Sequence, residues 1–128
     1  MLIQGTREWT NYAVSAAITP HMAKTAGIAA RVQGMRRFYA LLLCDDQKVR
    51  LVKAVDGDSV LAEQVFPWQF GETHKLTLQV VGQRLRAFVN DILVFAVDDN
   101  ERPLTGGGIA LVIEDGRLAT EAVSVRPV

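Results

Sequence analysis

The chain has 128 residues, of which 49% are hydrophobic and 22% are charged, and its 14 basic side chains balance its 14 acidic ones. This length fits one ordinary globular domain and is too short for two. Because the charges cancel, no overall field draws the chain to nucleic acid or to an anionic membrane, and we expect neither as a partner.

Cysteine usage and the first residues bear on the cellular compartment. Cys44 is the only cysteine of the sequence, so no internal disulfide can form. The opening residues show neither a basic segment followed by an apolar run nor a stretch long enough to span a bilayer. We therefore expect a cytoplasmic protein with a single domain, 1–128, that stands alone or is a fragment of a larger multidomain protein.

Turn signals divide the chain into segments that have room for a strand but not for a helix. Such spacing is typical of an all-β sandwich or barrel. The signals are Gly34, Asp45-Asp46, Asp56-Gly57, Gly71, Gly82, Asn90-Asp91, Asp98-Asp99, Gly106-Gly107-Gly108 and Asp115-Gly116.

The segments between the turns alternate apolar and polar residues, which places each apolar set on one face of a strand. Tyr12, Val14, Ala16 and Ile18 show this pattern first, and later segments repeat it. The segment 38–43 is apolar on both faces and is predicted to be a central strand.

Helices are conceivable only in two segments, and neither has a 3.6-residue apolar stripe. We assign 23–30 to a strand and leave 59–64 open. The prediction is an all-β, two-sheet antiparallel jelly-roll sandwich with about ten to eleven strands.

Several short motifs follow one another in a fixed order along nearly the whole chain. They are Trp9-x-x-Tyr12, the segment 27–33, Phe38-Tyr39-Ala40-Leu41, Leu51-Val52-Lys53, Leu76-x-Leu78-x-Val80-x-Gly82, Leu85-x-Ala87-x-Val89-Asn90-Asp91, Gly108-Ile109-Ala110-Leu111 and Val123-x-Val125. In this order they resemble the concanavalin A/laminin G-like jelly rolls, particularly the C-terminal accessory domain of bacterial ADP-ribosylglycohydrolase-like proteins. In that family an Asp-Gly turn is usual where this chain has Asn90-Asp91, a pair that also tolerates a left-handed turn.

The resemblance implies a bacterial carbohydrate-binding accessory domain whose catalytic partner would be a separate helical domain. Glucanases of this fold carry Glu-x-Asp-x-Glu on one strand, and this run is missing here. The adjacent acids Asp98-Asp99 and Glu114-Asp115 are interpreted as turn residues. We therefore predict no catalytic residue and no enzyme activity in this chain.

Nucleophile and zinc chemistry receive no support from the sequence. His21 and His74 are the only histidines and lie far apart, while Cys44 ends an apolar strand. We favour a packed thiol and two surface histidines over a Cys-His pair. No CxxC or HxxxH spacing indicates zinc.

Three other segments bear on calcium and phosphate binding. The segments 56–58 and 98–100 contain oxygen ligands suited to calcium, with Asp98 and Asn100 the better pair, but ordinary turns explain them. The run Gly106–Gly108 leads into a strand rather than a helix, so it is not a phosphate cradle. The prediction is no cofactor and no metal.

A ligand face is predicted from polar residues that alternate with apolar ones. Arg31 and Gln33 share the face opposite Ile28, Ala30 and Val32, which we expect to be the outer face of a sheet. A two-residue hairpin loop would place Arg31 opposite Phe38, and a three-residue loop would place it opposite Tyr39. Planar donors beside an aromatic ring suit sugar hydroxyls and rings.

The predicted ligand-binding residues are Arg31, Gln33, Phe38, Tyr39, Lys53 and Arg86. The alternative is a solvated sheet face with cross-strand ion pairs. For Trp9 and Trp68 a packing role at the ends of the sandwich is favoured over a sugar platform.

Two functions remain open at this point. The first is a non-catalytic accessory module of a hydrolase that binds a carbohydrate or an ADP-ribose-type ligand. The alternative is a structural or interaction domain that mediates oligomerisation and has no small-molecule ligand. The partners to consider are thus a glycan or nucleotide-sugar, a second copy in a homodimer, and a covalently linked catalytic domain.

Overall fold

The computed structural model describes residues 2–4, 10–21, 24–34, 36–101, 103–114, 117–120 and 123–128. These residues form twelve strands and no helix, and none of them provides a helix long and apolar enough to cross a membrane. The strands are β1 Leu2–Gln4, β2 Tyr12–His21, β3 Thr25–Val32, β4 Arg37–Cys44, β5 Lys48–Val55, β6 Asp58–Val65, β7 His74–Val81, β8 Arg84–Val89, β9 Ile92–Asp98, β10 Gly108–Glu114, β11 Arg117–Thr120 and β12 Ser124–Pro127.

The strands form two antiparallel sheets. Sheet A has the order β1-β10-β3-β4-β5-β6, and sheet B has the order β11-β2-β7-β8-β9, with β12 also paired to β2. The predicted fold class is confirmed, and strands of three or four residues raise the count above ten or eleven. Residues 25–30 of the segment assigned to a strand lie in β3, residue 23 lies outside the described residues, and the segment left open lies in β6.

The core lies between the sheets, where the inward side chains of both interdigitate. Leu41 and Leu51 of sheet A and Leu78 and Leu85 of sheet B are fully buried there. Strand β4 lies between β3 and β5 and is apolar on both faces, as predicted. Its outward residues join a second, smaller apolar cluster with Ala29, Ala110 and Val112 on the outer face of sheet A.

One end of the sandwich brings several connections together, and we call it the loop end. It comprises the β3–β4 turn, the β5–β6 turn at Asp56-Gly57, and the segment 99–107 between β9 and β10. Backbone hydrogen bonds tie the two turns, with Asp56 N–H donating to Arg36 O at 3.1 Å. The loop end carries most of the predicted ligand-binding residues.

Candidate functional site

Arg31 lies inside the loop end and not on an outer face. Only 1% of its surface is exposed, so the expectation that it projects into solvent is wrong. Its guanidinium donates to three backbone carbonyls: Thr10 O at 2.8 and 3.1 Å, Leu104 O at 2.8 Å, and Gly82 O. Arg31 therefore fastens three separate connections to the end of the sandwich.

A β-bulge turns Arg31 inward. Ala30 pairs with Tyr39, and Gln33 N–H donates to Arg37 O at 2.9 Å. Two residues, Arg31 and Val32, thus lie against Phe38 alone, and Arg31 has a positive φ of 50°. Arg31 thus shares Phe38 with Val32, instead of forming the one-to-one pair with Phe38 or Tyr39 that a hairpin without a bulge would give.

Tyr39 is also fully buried, on the inward face of β4. Its hydroxyl donates to Asp99 Oδ2 at 2.6 Å and accepts from Leu104 N–H at 2.9 Å. Lys53 pairs with Tyr39 across the strands, and its Nζ lies 2.7 Å from the same carboxylate oxygen. A buried Tyr39–Asp99–Lys53 network therefore joins sheet A to the segment 99–107.

The network fixes the protonation state of its members. Burial acts to raise the pKa of Asp99, but hydrogen bonds from Lys53 and Tyr39 outweigh it and the pKa lies below its usual value. Burial and the bond to Asp99 raise the pKa of Tyr39 above its usual range. Asp99 is therefore ionised and Tyr39 neutral at physiological pH.

An open depression of about 600 Å³ lies beside this network. Its polar lining is Lys53, Ser59, Asp99 and Glu101, and its apolar lining includes Val55 and Leu61. Within the described part of the chain, the hydroxyl of Ser59 and the carboxylate of Glu101 have no side-chain hydrogen-bond partner. Lys53 uses two of its three donors, on Asp99 and on Glu101 O, so one N–H is free for a ligand.

The other predicted residues do not line this depression. Gln33 is exposed at the loop end and donates to Gly106 O at 2.8 Å. Phe38 is half-buried on the outer face of sheet A. Arg86 is exposed on the outer face of sheet B, opposite Gln79. The predicted set therefore does not form one site, because Arg86 belongs to the other sheet.

The middle of the outer face of sheet A offers few groups to a polar ligand. Along its middle row Ala110 pairs with Ala29, Ala40 with Val52, and Val52 with Val60. An unbroken apolar row cannot satisfy sugar hydroxyls. The depression at the loop end is the better candidate.

Packing interpretations of Trp68 and Cys44 are confirmed. Trp68 is 3% exposed, and its indole N–H donates to Cys44 O at 2.9 Å. Burial of Cys44 raises the pKa of its thiol, which disfavours the nucleophilic thiolate. His21 is exposed, whereas His74 is only partly so. Trp9 lies outside the described residues.

The proposed calcium ligands have other partners. Asp98 accepts from Arg84 at 3.1 Å, and Asn100 Oδ1 accepts from Gln83 at 2.6 Å. No group of three or more metal-binding side chains occurs in the described ranges. These contacts do not favour calcium binding, and the absence of a cofactor stays a prediction.

Gly107 does more than connect two strands flexibly. A Cβ at this position would lie 2.6 Å from Val32 O, and its carbonyl accepts from the Tyr12 hydroxyl at 3.2 Å. The Tyr12 oxygen in turn accepts from Arg31 N–H at 2.6 Å. The glycine run therefore allows β10 to approach the Arg31 bulge, and it enters a strand as expected.

Sequence reasoning missed the acidic pair of the depression. Asp99 and Glu101 are two residues apart, and both line the same space. This spacing is visible in the sequence, but the sequence analysis interprets Asp98-Asp99 as turn residues and does not single out Glu101. Only the long-range contacts to Tyr39 and Lys53 show that the carboxylate of Asp99 is buried.

Comparison with protein-family models and with curated proteins yields no match. Solved structures do match. The carbohydrate-binding module CBM66 from Bacillus subtilis aligns with a TM-score of 0.83 at 19% identity, over 91% of this chain and 75% of that one.

Two further structures show the same likeness. Sheep galectin-11, solved with glycerol, has a TM-score of 0.71 at 15% identity and matches 98% of this chain and 96% of its own. Domain 4 of AbnA, an extracellular arabinanase of Geobacillus stearothermophilus in complex with arabinotriose, has a TM-score of 0.70 at 12% identity, over 98% of this chain and 65% of that one. At such identities the likeness concerns the fold alone: the chain has the jelly-roll sandwich of these proteins.

Proposed function

We propose that this chain is a non-catalytic carbohydrate-binding module whose ligand occupies the depression beside Lys53. The observation that carries the proposal is the set of polar groups that face this space without a protein partner among the described residues. They are one N–H of Lys53, the hydroxyl of Ser59 and the carboxylate of Glu101.

These groups match the chemistry of a sugar. A carboxylate accepts from two neighbouring hydroxyls, an ammonium donates to ring or hydroxyl oxygens, and the serine does both. Val55 and Leu61 offer apolar surface to the C–H face of a sugar ring. Because the depression is open, the ligand competes with water for every hydrogen bond, and we expect weak affinity.

The buried network holds the site in place before the ligand arrives. Lys53 is only 11% exposed at its side chain and is fixed by Asp99, which Tyr39 fixes in turn. Leu104 is tied to both Tyr39 and Arg31. Little conformational entropy of the network is then lost on binding, which favours recognition by few contacts.

The names of the structural neighbours support this proposal. One is described as a carbohydrate-binding module, and another is solved in complex with arabinotriose. An ADP-ribose-type ligand and attachment to a hydrolase remain predictions from the sequence resemblance.

Glycoside hydrolysis needs one carboxyl group that is protonated and a second that is ionised. Asp99 is held ionised, and its oxygens accept from Lys53, Tyr39 and the Glu101 N–H. It is therefore unsuited to act as a general acid or as a nucleophile. Asp99 and Glu101 bind and orient in this proposal, and no bond is broken.

The alternative function, oligomerisation through a free strand edge, is disfavoured at two edges. The register shifts at Leu61 in β6 and at Val94 in β9, so each of these edge strands is bulged near its middle. Bulges in edge strands are a common defence against pairing with another chain. These two edges therefore give no support to oligomerisation by strand pairing.

The test is a glycan array that includes arabinotriose and ADP-ribose, followed by titration calorimetry with the best ligand. Glu101→Ala removes an exposed carboxylate without a described partner, so the fold should be intact. We expect its affinity to fall about tenfold, the loss of roughly 1.5 kcal/mol that one charge-assisted hydrogen bond provides.

Arg86→Ala is the matched control, since it removes an exposed charged side chain from sheet B. Its affinity should stay within about twofold of wild type. A loss with Arg86→Ala and none with Glu101→Ala would move the site to sheet B. Absence of binding to every saccharide would reject the proposed function.

A further inference from the structure

The surface beside the candidate site continues over the tip of the β5–β6 hairpin. A second depression of about 430 Å³ lies on the outer side of this hairpin. Gly57 lines both depressions, so they meet at the turn. The two spaces therefore form one surface that passes from the inner face of sheet A to its outer face.

The ridge between them has Gly57, which carries no side chain, next to the exposed Asp56. A Cβ at Gly57 would meet no atom within 4 Å, which shows that the tip stands in open space. Across the ridge, Lys53 pairs with Ser59 on the inner side, and the next residues, Ala54 and Asp58, pair on the outer side. A chain-like ligand that crosses the ridge at Gly57 can therefore contact both pairs, with the exposed side chain of Asp56 beside it.

The second depression has the composition of a sugar subsite. Phe38, Ala54 and Asp58 lie side by side on three adjacent strands. Because the middle residue is alanine, the aromatic ring and the carboxylate flank an open gap, roughly 9 to 10 Å across two strand spacings. Arg36 is exposed beside them and, like Asp58, has no side-chain ion pair within the described ranges.

These groups supply what one sugar residue needs. The half-buried ring of Phe38 is held against the outer cluster and offers apolar surface to C–H groups. The guanidinium of Arg36 donates paired hydrogen bonds, and the carboxylate of Asp58 accepts them from hydroxyls. Phe38, one of the residues predicted from the sequence to bind the ligand, thus belongs to this second depression and not to a site shared with Arg86.

We propose that this chain recognises an oligosaccharide that spans the Asp56-Gly57 turn, with one sugar residue at Lys53 and a following residue at Phe38. This inference rests on the proposed function and adds the ligand's length to it. A ligand that fills both depressions gains the second set of contacts at little added loss of rigid-body freedom, so affinity rises with chain length.

The experiment compares a monosaccharide with its trimer by titration calorimetry, using arabinose and arabinotriose, or the monomer and trimer of the saccharide that binds best on the array. The wild-type chain should bind the trimer about tenfold or more tightly than the monomer. Arg36→Ala should weaken the trimer about three- to tenfold and leave the monomer unchanged. Phe38→Leu should do the same, and Arg36→Ala covers the case in which Phe38→Leu perturbs the outer cluster.

The variants separate the two proposals. Glu101→Ala should weaken monomer and trimer alike. Equal affinity for monomer and trimer, or a trimer unaffected by both outer variants, would overturn the extended surface while Glu101→Ala still reports the first site. If Glu101→Ala has no effect and Arg36→Ala weakens the monomer, the proposed location of the first site fails instead. No binding of either saccharide would overturn both.

Discussion

Replacing Arg31 tests whether the loop end is held by one buried cation. Arg31→Met keeps the length and the apolar stem of the side chain but removes the donors to Thr10 O, Gly82 O and Leu104 O. Arginine and methionine both disfavour the positive φ at position 31, so the backbone strain of the bulge is similar in the variant and in the wild type. Its effect therefore reports mainly the lost hydrogen bonds.

The magnitude follows from the surroundings of each carbonyl. The bond to Leu104 O is buried, and an unsatisfied buried carbonyl costs about 1 to 3 kcal/mol. The bonds to Thr10 O and Gly82 O are partly buried, so water replaces them in part and each contributes about 0.5 to 1.5 kcal/mol. Methionine recovers some of this sum because no charge is desolvated, and we expect a loss of about 2 to 4 kcal/mol.

Urea denaturation followed by far-UV circular dichroism measures the free energy of unfolding. Arg86→Met is the control, because Arg86 is exposed and should change stability by less than about 0.5 kcal/mol. An Arg31→Met variant as stable as this control would refute the assignment of Arg31 as a structural cation.

Three further predictions concern the network and the core. Because the pKa of Asp99 is lower in the folded chain than in the unfolded chain, where it is about 3.9, the ionised carboxylate stabilises the fold above that pH, and this stabilisation is lost as the pH falls through the folded value. Asp99→Asn should therefore lose less stability than wild type between about pH 6 and pH 2 in urea titrations, and an equal loss would contradict the paired carboxylate. Gly27→Ala would bring a Cβ within 2.0 Å of Leu41 O, and calorimetry should show a loss of more than about 2 kcal/mol; an unchanged melting temperature would mean that β3 and β4 can separate freely. In a Trp9→Phe background, the fluorescence of the 3% exposed Trp68 should resist quenching by iodide, and quenching like that of free tryptophan would show that it is not packed.

The fold could be predicted because its signals are local. Turn pairs such as Asn90-Asp91 have positive φ at both positions, as a tight hairpin requires, and alternation along β2 and β7 specifies which side faces the core. The same alternation failed at Arg31. A bulge changes the face of a residue, and no pattern of period two contains it.

The site was harder to predict because its contacts are long-range. Tyr39 and Asp99 are 60 residues apart, and their hydrogen bond makes one carboxylate of an ordinary turn sequence structural. Lys53 was predicted for an exposed ligand face, whereas it lies at the margin of the core beside Asp99, and its role in binding stays a prediction.

A titration of uniformly ¹⁵N-labelled protein with the best saccharide, followed by amide chemical shifts, locates the ligand on the molecule. We expect the largest changes at Lys53, Ser59 and Glu101, and no change at Gln79 and Arg86 on the outer face of sheet B. Shifts concentrated on sheet B, or no shift with any saccharide of the array, would contradict this expectation.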